Sequence, residues 1–340
     1  TQVMSRVREA FGVELPLRVL FEAPTVRELA GRVEQEKRSG TATSNANAAL
    51  IPMRKEGSRA PFFCVHPVGG TVFCYEQLMR HLGSDQPFYA FQSIGLNRDQ
   101  EPQTSIAGMA ATYRELMCQM QPEGPYRIGG WSLGGVIAFE MACQLESEGK
   151  EVALLALFDS HVSSSHSTQI RNPRQPVDDS YLMKKFAADL GIRMAETHAS
   201  ADSDGQTALL ELIRRAQEQG SLPADVNPLI AARLFNTFKA NFQALHEYVP
   251  GTFGGRVDYF EPEHRNGTTS APTDIWSNLA RGGLERHLVP GDHYSMFNKE
   301  NSIVIAGKLR DCILRLEIGS SNNELLRPEL WRDNQHLLAQ

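Results

Sequence analysis

Apolar positions recur along this chain with two different periods, and the change from one to the other divides it. At the start Val3, Val7 and Phe11 fall on one helical face, Gly12 ends that helix, and Leu15-Pro16-Leu17 opens a short connector to Leu20-Phe21. After Pro24, Thr25 and Glu28 have the spacing of a capping box, which predicts a second helix. So short a segment cannot bury a stable core alone, and residues 1–36 read as a helical unit packed on a larger body. Residues 37–48, rich in Ser, Thr, Gly and Asn and without an apolar face, predict a linker.

From Ile51 short apolar runs alternate with helical patterns. Strands are expected at 62–65, 88–91, 126–128 and 152–158, and helices at about 72–82, 106–120 and directly after Ser132. Such alternation predicts an α/β fold, a mostly parallel sheet with helices on both faces. Residues 160–250 break the rhythm: a polar run over 161–178 leads to helical patterns at 181–190, 208–217 and 229–248, with no strand signal among them. An all-helical insertion of this kind predicts a lid. Strands resume at 257–260 and 284–289, a closing helix is expected at 302–316, and the polar tail 319–340 carries no pattern. The main domain therefore spans 49–318 on this reading.

Composition narrows the function classes. A net charge of −6 with signs mixed throughout offers no basic patch for nucleic acid and no polybasic anchor for a membrane. No apolar stretch approaches the roughly 20 residues needed to cross a bilayer, and no signal peptide opens the chain. Five cysteines, odd in number and without C-x-x-C spacing, suit small buried hydrophobes in a reducing cytoplasm. The first residue is Thr1, so the sequence reads as a piece of something longer.

The chemistry concentrates at Gly130-Trp131-Ser132-Leu133-Gly134, a G-x-S-x-G frame between an expected strand and a helix whose apolar face includes Ile137, Met141 and Leu145. A Cβ at Gly130 or Gly134 would crowd the tight turn that throws the serine hydroxyl clear of the sheet. G-G-x-S-L also presents the phosphopantetheine-bearing serine of carrier domains, but that setting is a small helical bundle, and strand signals flank this helix. A serine nucleophile needs an imidazole base and a carboxylate to orient it, in the chain order Ser, acid, His. His293, in Gly291-Asp292-His293-Tyr294 between the last strand and the last helix, meets that order, whereas His287 and the insertion's His161, His166, His198 and His246 suit solvent or packing. For the acid, Asp159 stands at the tip of a buried strand, with Asp258 and Glu261 one strand later as rivals. Phe63-Cys64-Val65-His66-Pro67-Val68-Gly69-Gly70 brings backbone amides to the end of an early strand, so the N–H groups of Val68 and Leu133 form the expected oxyanion pair, with His66 as a hydrogen-bonding support.

Together His66-Pro67-Val68-Gly69-Gly70, Gly130-Trp131-Ser132-Leu133-Gly134, Leu157-Phe158-Asp159-Ser160 and Gly291-Asp292-His293-Tyr294 resemble the type I thioesterase domains that end nonribosomal peptide and polyketide synthetases, which have an α/β-hydrolase fold. The resemblance implies Asp159 as the acid in preference to Glu261. Phe11-Gly12-Val13-Glu14-Leu15-Pro16 and Leu20-Phe21-Glu22-Ala23-Pro24-Thr25 resemble the C-terminal half of a peptidyl or acyl carrier domain, in which the phosphopantetheine serine would precede Thr1. The expected activity is release of an acyl or peptidyl chain from an upstream carrier's phosphopantetheine thioester, by hydrolysis or macrocyclisation, with no bound cofactor or metal. A general carboxylesterase or lipase and a non-catalytic carrier or docking module are the alternatives.

Overall fold

Thr25 and Glu28 exchange the reciprocal bonds that their spacing predicts: Thr25 N donates to Glu28 Oε2 at 3.0 Å and Glu28 N to Thr25 Oγ1 at 3.3 Å. They start the last of three N-terminal helices, α1 (Gln2–Phe11), α2 (Val19–Glu22) and α3 (Val26–Ser39), which share a small core of Val7, Val13, Val19, Ala23 and Val33. This is a computed structural model, and it describes all residues except 1, 14, 16–18, 24, 40–48, 97–99, 163–178, 193–204, 220–225, 227, 266–271 and 321–340. Helix α3 continues through Ser39, so the expected linker begins later than 37, and the rest of it lies outside the described residues.

Strand β1 (Leu50–Arg54) lies against α2 and pairs antiparallel with β3 (Phe88–Phe91). It was not foreseen as a strand because Pro52 interrupts it, a residue that a sheet accepts at its edge. The other strands, β2 (Phe62–Val65), β4 (Tyr126–Trp131), β5 (Val152–Phe158), β6 (Val257–Pro262) and β7 (Leu284–Val289), are all parallel, in the spatial order β1-β3-β2-β4-β5-β6-β7. Alternate residues along each strand serve opposite cores. Phe63, Val65, Ile128 and Leu155 pack under α5 (Ile106–Met120) and α6 (Leu133–Ser147), while Phe62, Cys64, Leu154 and Ala156 pack under α4 (Glu76–His81) and α11 (Asn301–Ser320). The mostly parallel sheet with helices on both faces that the alternation predicts is thus present, in the α/β-hydrolase arrangement that the resemblance implies.

Two elements differ from expectation. The helix expected at 72–82 begins as a 3-10 turn over Phe73–Tyr75 before α4. Strand β4 runs three residues past 128, because Gly129 and Gly130 carry no apolar signal although they belong to the strand; a Cβ on Gly129 would press on Phe62 and Ala156. Gly149, with φ 73°, ends α6 in a Schellman motif: Lys150 N donates to Leu145 O and Gly149 N to Glu146 O, both at 2.9 Å.

The expected insertion contains α7 (Asp179–Asp189), α8 (Gly205–Glu218) and α9 (Pro228–Glu247), which gather around Leu182, Phe186, Leu212, Ile213 and Phe238 as a core of their own. Its polar entry lies outside the described residues from 163 to 178. Helix α10 (Pro272–Leu279) was also not foreseen, and its Trp276 is fully buried against Phe139. Helix α11 reaches Ser320, two residues into the expected tail.

Candidate active site

Ser132 lies between β4 and α6 with φ 57°, a backbone region that residues with a Cβ seldom occupy. The turn closes because two glycines flank it: a Cβ at Gly130 would run into the backbone of Gly134, and one at Gly134 into the carbonyls of Val65 and His66. Tyr75 reinforces the junction, since its hydroxyl accepts from Trp131 N at 2.9 Å and donates to Val65 O at 2.5 Å, tying the tips of β4 and β2 together. The Ser132 side chain caps nothing, which leaves its hydroxyl free for other chemistry.

Asp159, at the tip of the neighbouring strand β5, also has a left-handed backbone, with φ 40°. Its Oδ2 lies 2.6 Å from His293 Nδ1 and its Oδ1 2.9 Å from His161 Nε2. Burial on its own would push the Asp159 pKa up, but the hydrogen bonds from His161 and His293 outweigh it and hold the carboxyl well below the usual range. An ionised carboxylate only accepts, so Nδ1 of His293 carries a proton, and in the neutral ring Nε2 is the acceptor. The His293 ring rests on Trp131 with centroids 5.3 Å apart. Its loop is shaped by Asp292, whose Oδ1 accepts from Ser295 N at 2.9 Å and Tyr294 N at 3.2 Å.

Val68 lies in the loop after β2, and Leu133 is the first residue of α6. His66, fully buried, controls the orientation of the Pro67–Val68 peptide. Its Nδ1 donates to Pro67 O at 2.7 Å and its Nε2 accepts from Tyr113 OH at 2.8 Å, which turns the N–H of Val68 the opposite way. Burial pulls the His66 pKa down to about 4, so the ring stays neutral and keeps that tautomer. The Val68 carbonyl accepts from Asn241 Nδ2 of α9 at 2.8 Å.

Glu261 and Asp258 lie elsewhere. Glu261 accepts from Arg286 Nε at 2.7 Å and also pairs with Arg265. Asp258 accepts from His287 Nε2 at 2.8 Å and Arg256 Nη2 at 3.1 Å. Among the described residues two groups have metal-like donors, Asp159 with His161 and His293, and Asp258 with His287 and Cys312. In the second, guanidinium groups of Arg256 and Arg315 already occupy the polar face, and burial pushes the Cys312 thiol up to about 12, so it offers no thiolate. In the first, the two histidines bond directly to the carboxylate, one to each oxygen.

Sequence reasoning missed His161, which it placed in solvent or packing. The signal was present, since a side chain two positions after a strand-tip carboxylate can fold back onto it. It also missed Tyr75, Tyr113 and Asp189, the last residue of α7, whose carboxylate lies against Gly69. Those three are joined to the site only by the fold.

Comparisons with known proteins bear on the family of the chain. The family model for the thioesterase domain matches residues 60–312, and that for the phosphopantetheine attachment site matches 1–33. A dimodular nonribosomal peptide synthase of Bacillus subtilis (strain 168) is 38% identical over 289 residues, covering 84% of this chain and 11% of that protein. Malpinin synthetase of Mortierella alpina is 43% identical over 158 residues, covering 46% of this chain and 2% of its own length. The chain thus spans a small part of these relatives. Among solved structures, holo-AB3403, a four-domain nonribosomal peptide synthetase bound to AMP and glycine, superposes with a TM-score of 0.72 at 27% identity over 91% of this chain and 23% of that one. The NocB thioesterase domain, in covalent complex with a fluorophosphonate nocardicin G analogue, shares the fold with a TM-score of 0.58 at 23% identity, covering 78% of this chain and 99% of its own. Since the matched span takes in β2, the elbow, Asp159 and the His293 loop, the chain belongs to the thioesterase domain family of hydrolases acting on thioesters.

Proposed function

We propose that the chain releases an acyl or peptidyl chain from a nonribosomal peptide synthetase, taking it from the phosphopantetheine thioester of an upstream carrier domain. Nε2 of His293 takes the Ser132 hydroxyl proton as Oγ bonds to the thioester carbon, and the charge collects on the former carbonyl oxygen, held by the N–H groups of Val68 and Leu133. Collapse breaks the carbon–sulfur bond, and His293 returns the proton to the departing pantetheine thiolate. Asp159 fixes the imidazole tautomer and offsets the imidazolium charge. The acyl-serine then passes to water, or to a hydroxyl or amine of the same chain, which gives a free acid or a macrocycle. His161 holds the second oxygen of Asp159 during both steps.

One observation carries the reading: the 2.6 Å bond from His293 Nδ1 to Asp159 Oδ2 beside an elbow whose serine hydroxyl is uncommitted. The residue 1–33 match to a phosphopantetheine attachment model supports a carrier as the donor. A cytoplasmic setting suits the five free cysteines. Among the described residues no helix is long and apolar enough to cross a membrane, and neither a membrane nor nucleic acid enters this reading.

The test is intact-protein mass after incubation with an acyl-pantetheine thioester. An acyl adduct that maps to Ser132 and is absent from Ser132→Ala supports the reading. An adduct on a cysteine, or labelling of Ser132 by a phosphopantetheinyl transferase, overturns it, and turnover of aryl esters without acyl-pantetheine thioesters points to a general esterase.

A further inference from the structure

Asp189 ends α7, and its side chain turns from the insertion toward the elbow side of the sheet. Its Oδ2 lies so close to Gly69 that a Cβ there would collide with it. Its charge is felt by His293 and Tyr294 on one loop and by Cys74 beyond the β2 loop. The carboxylate therefore stands against the β2 loop, with the His293 loop within reach of its charge.

Nothing local explains a carboxylate at that point. Helix C-termini carry partial negative charge and favour cations, so an acid as the last residue of α7 costs helix stability. Among the described residues no side chain donates a hydrogen bond or forms an ion pair with it. Solvent still reaches the group, yet protein surrounds it closely enough that burial raises its pKa to about 6, with only the charge of His293 acting the other way. An enclosed carboxylate without a cation is a group left short of a partner. Gly69 matters here as well, because any side chain at that position would shut the carboxylate away from the β2 loop.

We propose that Asp189 is a specificity-determining residue that binds an ammonium group carried by the acyl chain, close to the ester that forms on Ser132. This rests on the acyl-transfer reading above. An ammonium in this recess meets the carboxylate and the negative end of α7 together, whereas the same chain with its amine acylated meets neither favourably. Discrimination of about tenfold to a hundredfold is the scale that one charge-assisted hydrogen bond supplies.

The experiment uses the full chain and paired pantetheine thioesters of amino acids with the amine at increasing distance from the thioester carbon, each set against its N-acetyl counterpart. The quantity read is the ratio of kcat/KM within each pair, so any general loss of activity in a variant cancels. The wild type is expected to favour the free amine by about tenfold or more at one chain length, Asp189→Asn to bring that ratio near one, and Asp189→Lys, which a helix C-terminus accommodates, to invert it. A wild-type ratio near one at every length, or a ratio that Asp189→Asn leaves in place, overturns the inference. Turnover of the N-acetyl substrates that Ser132→Ala abolishes tests the acyl-transfer reading separately, so the two failures are told apart.

Discussion

Ser132 and Asp159 are the two non-glycine residues with a left-handed backbone among those described, at φ 57° and 40°, and they sit at the tips of adjacent parallel strands. The strands pair up to Trp131 and Phe158, and Ser132 N then donates to Phe158 O at 2.9 Å. Each conformation is unfavourable by itself, and each is fixed by bonds on both sides. The same register that makes the sheet places the proposed nucleophile and acid one strand apart.

Replacing Asp159 by Asn keeps the shape but lets the side-chain amide present N–H where His293 expects an acceptor. Acylation is expected to slow by up to about 10⁴-fold with the fold intact. Glu261→Gln, which disturbs only the pairs with Arg265 and Arg286, should leave acylation within about threefold of wild type by single-turnover kinetics. The reverse order of effects would move the acid to β6.

His161→Ala removes the bond to Asp159 Oδ1 while leaving that to His293. A loss of about tenfold in kcat with little change in KM is expected, the worth of one modest hydrogen bond at the transition state. Asp159 should also titrate higher, because one of the groups that holds its pKa down is gone. An unchanged kcat would reduce His161 to a surface contact.

Tyr113→Phe leaves Nε2 of His66 buried without its 2.8 Å partner. Urea unfolding should show a loss of about 1–3 kcal/mol. If His66 orients the Val68 amide as its bond to Pro67 O indicates, acylation should slow as well, more than stability alone explains.

Asp189→Asn is expected to stabilise the protein. The folded chain raises this pKa to about 6, above an unfolded value near 3.9. Its contribution to stability is thus complete below about pH 4 and is lost as pH rises through 6. A neutral amide removes that loss, so the variant should gain on the order of 1–2 kcal/mol at pH 7 and nothing at pH 4, after allowing for the solvent that still reaches the carboxylate. Thermal unfolding at the two pH values measures the difference, and equal curves at pH 7 would mean the carboxylate is not enclosed.

What the sequence made legible follows from what is local. Gly130, Gly134 and Gly149 announce their turns because the backbone there tolerates no Cβ or requires positive φ, and His293 is marked by its place between the last strand and helix. Asp159 was separable from Glu261 only through the family resemblance, since both stand near strand tips and the choice depends on which carboxylate a distant loop reaches. Tyr75, Tyr113, Asn241 and Asp189 act across gaps in the chain that no periodicity records. Strand β1 and helix α10 were missed for a different reason: Pro52 obscures one and the short length of the other gives its pattern little weight.

Val68 belongs to two cores at once. Its side chain packs against the sheet's main cluster and against that of the helical insertion, and its carbonyl takes a bond from Asn241 of α9. If its amide holds the thioester oxygen as proposed, the insertion and the electrostatic grip on the substrate cannot be separated. Lifting α9 away would free the Val68–Gly69 peptide to rotate and slacken the loop that aims the Val68 amide. An uncovered site would then also be a silent one, because a single peptide ties the cover of the site to the amide that grips the substrate.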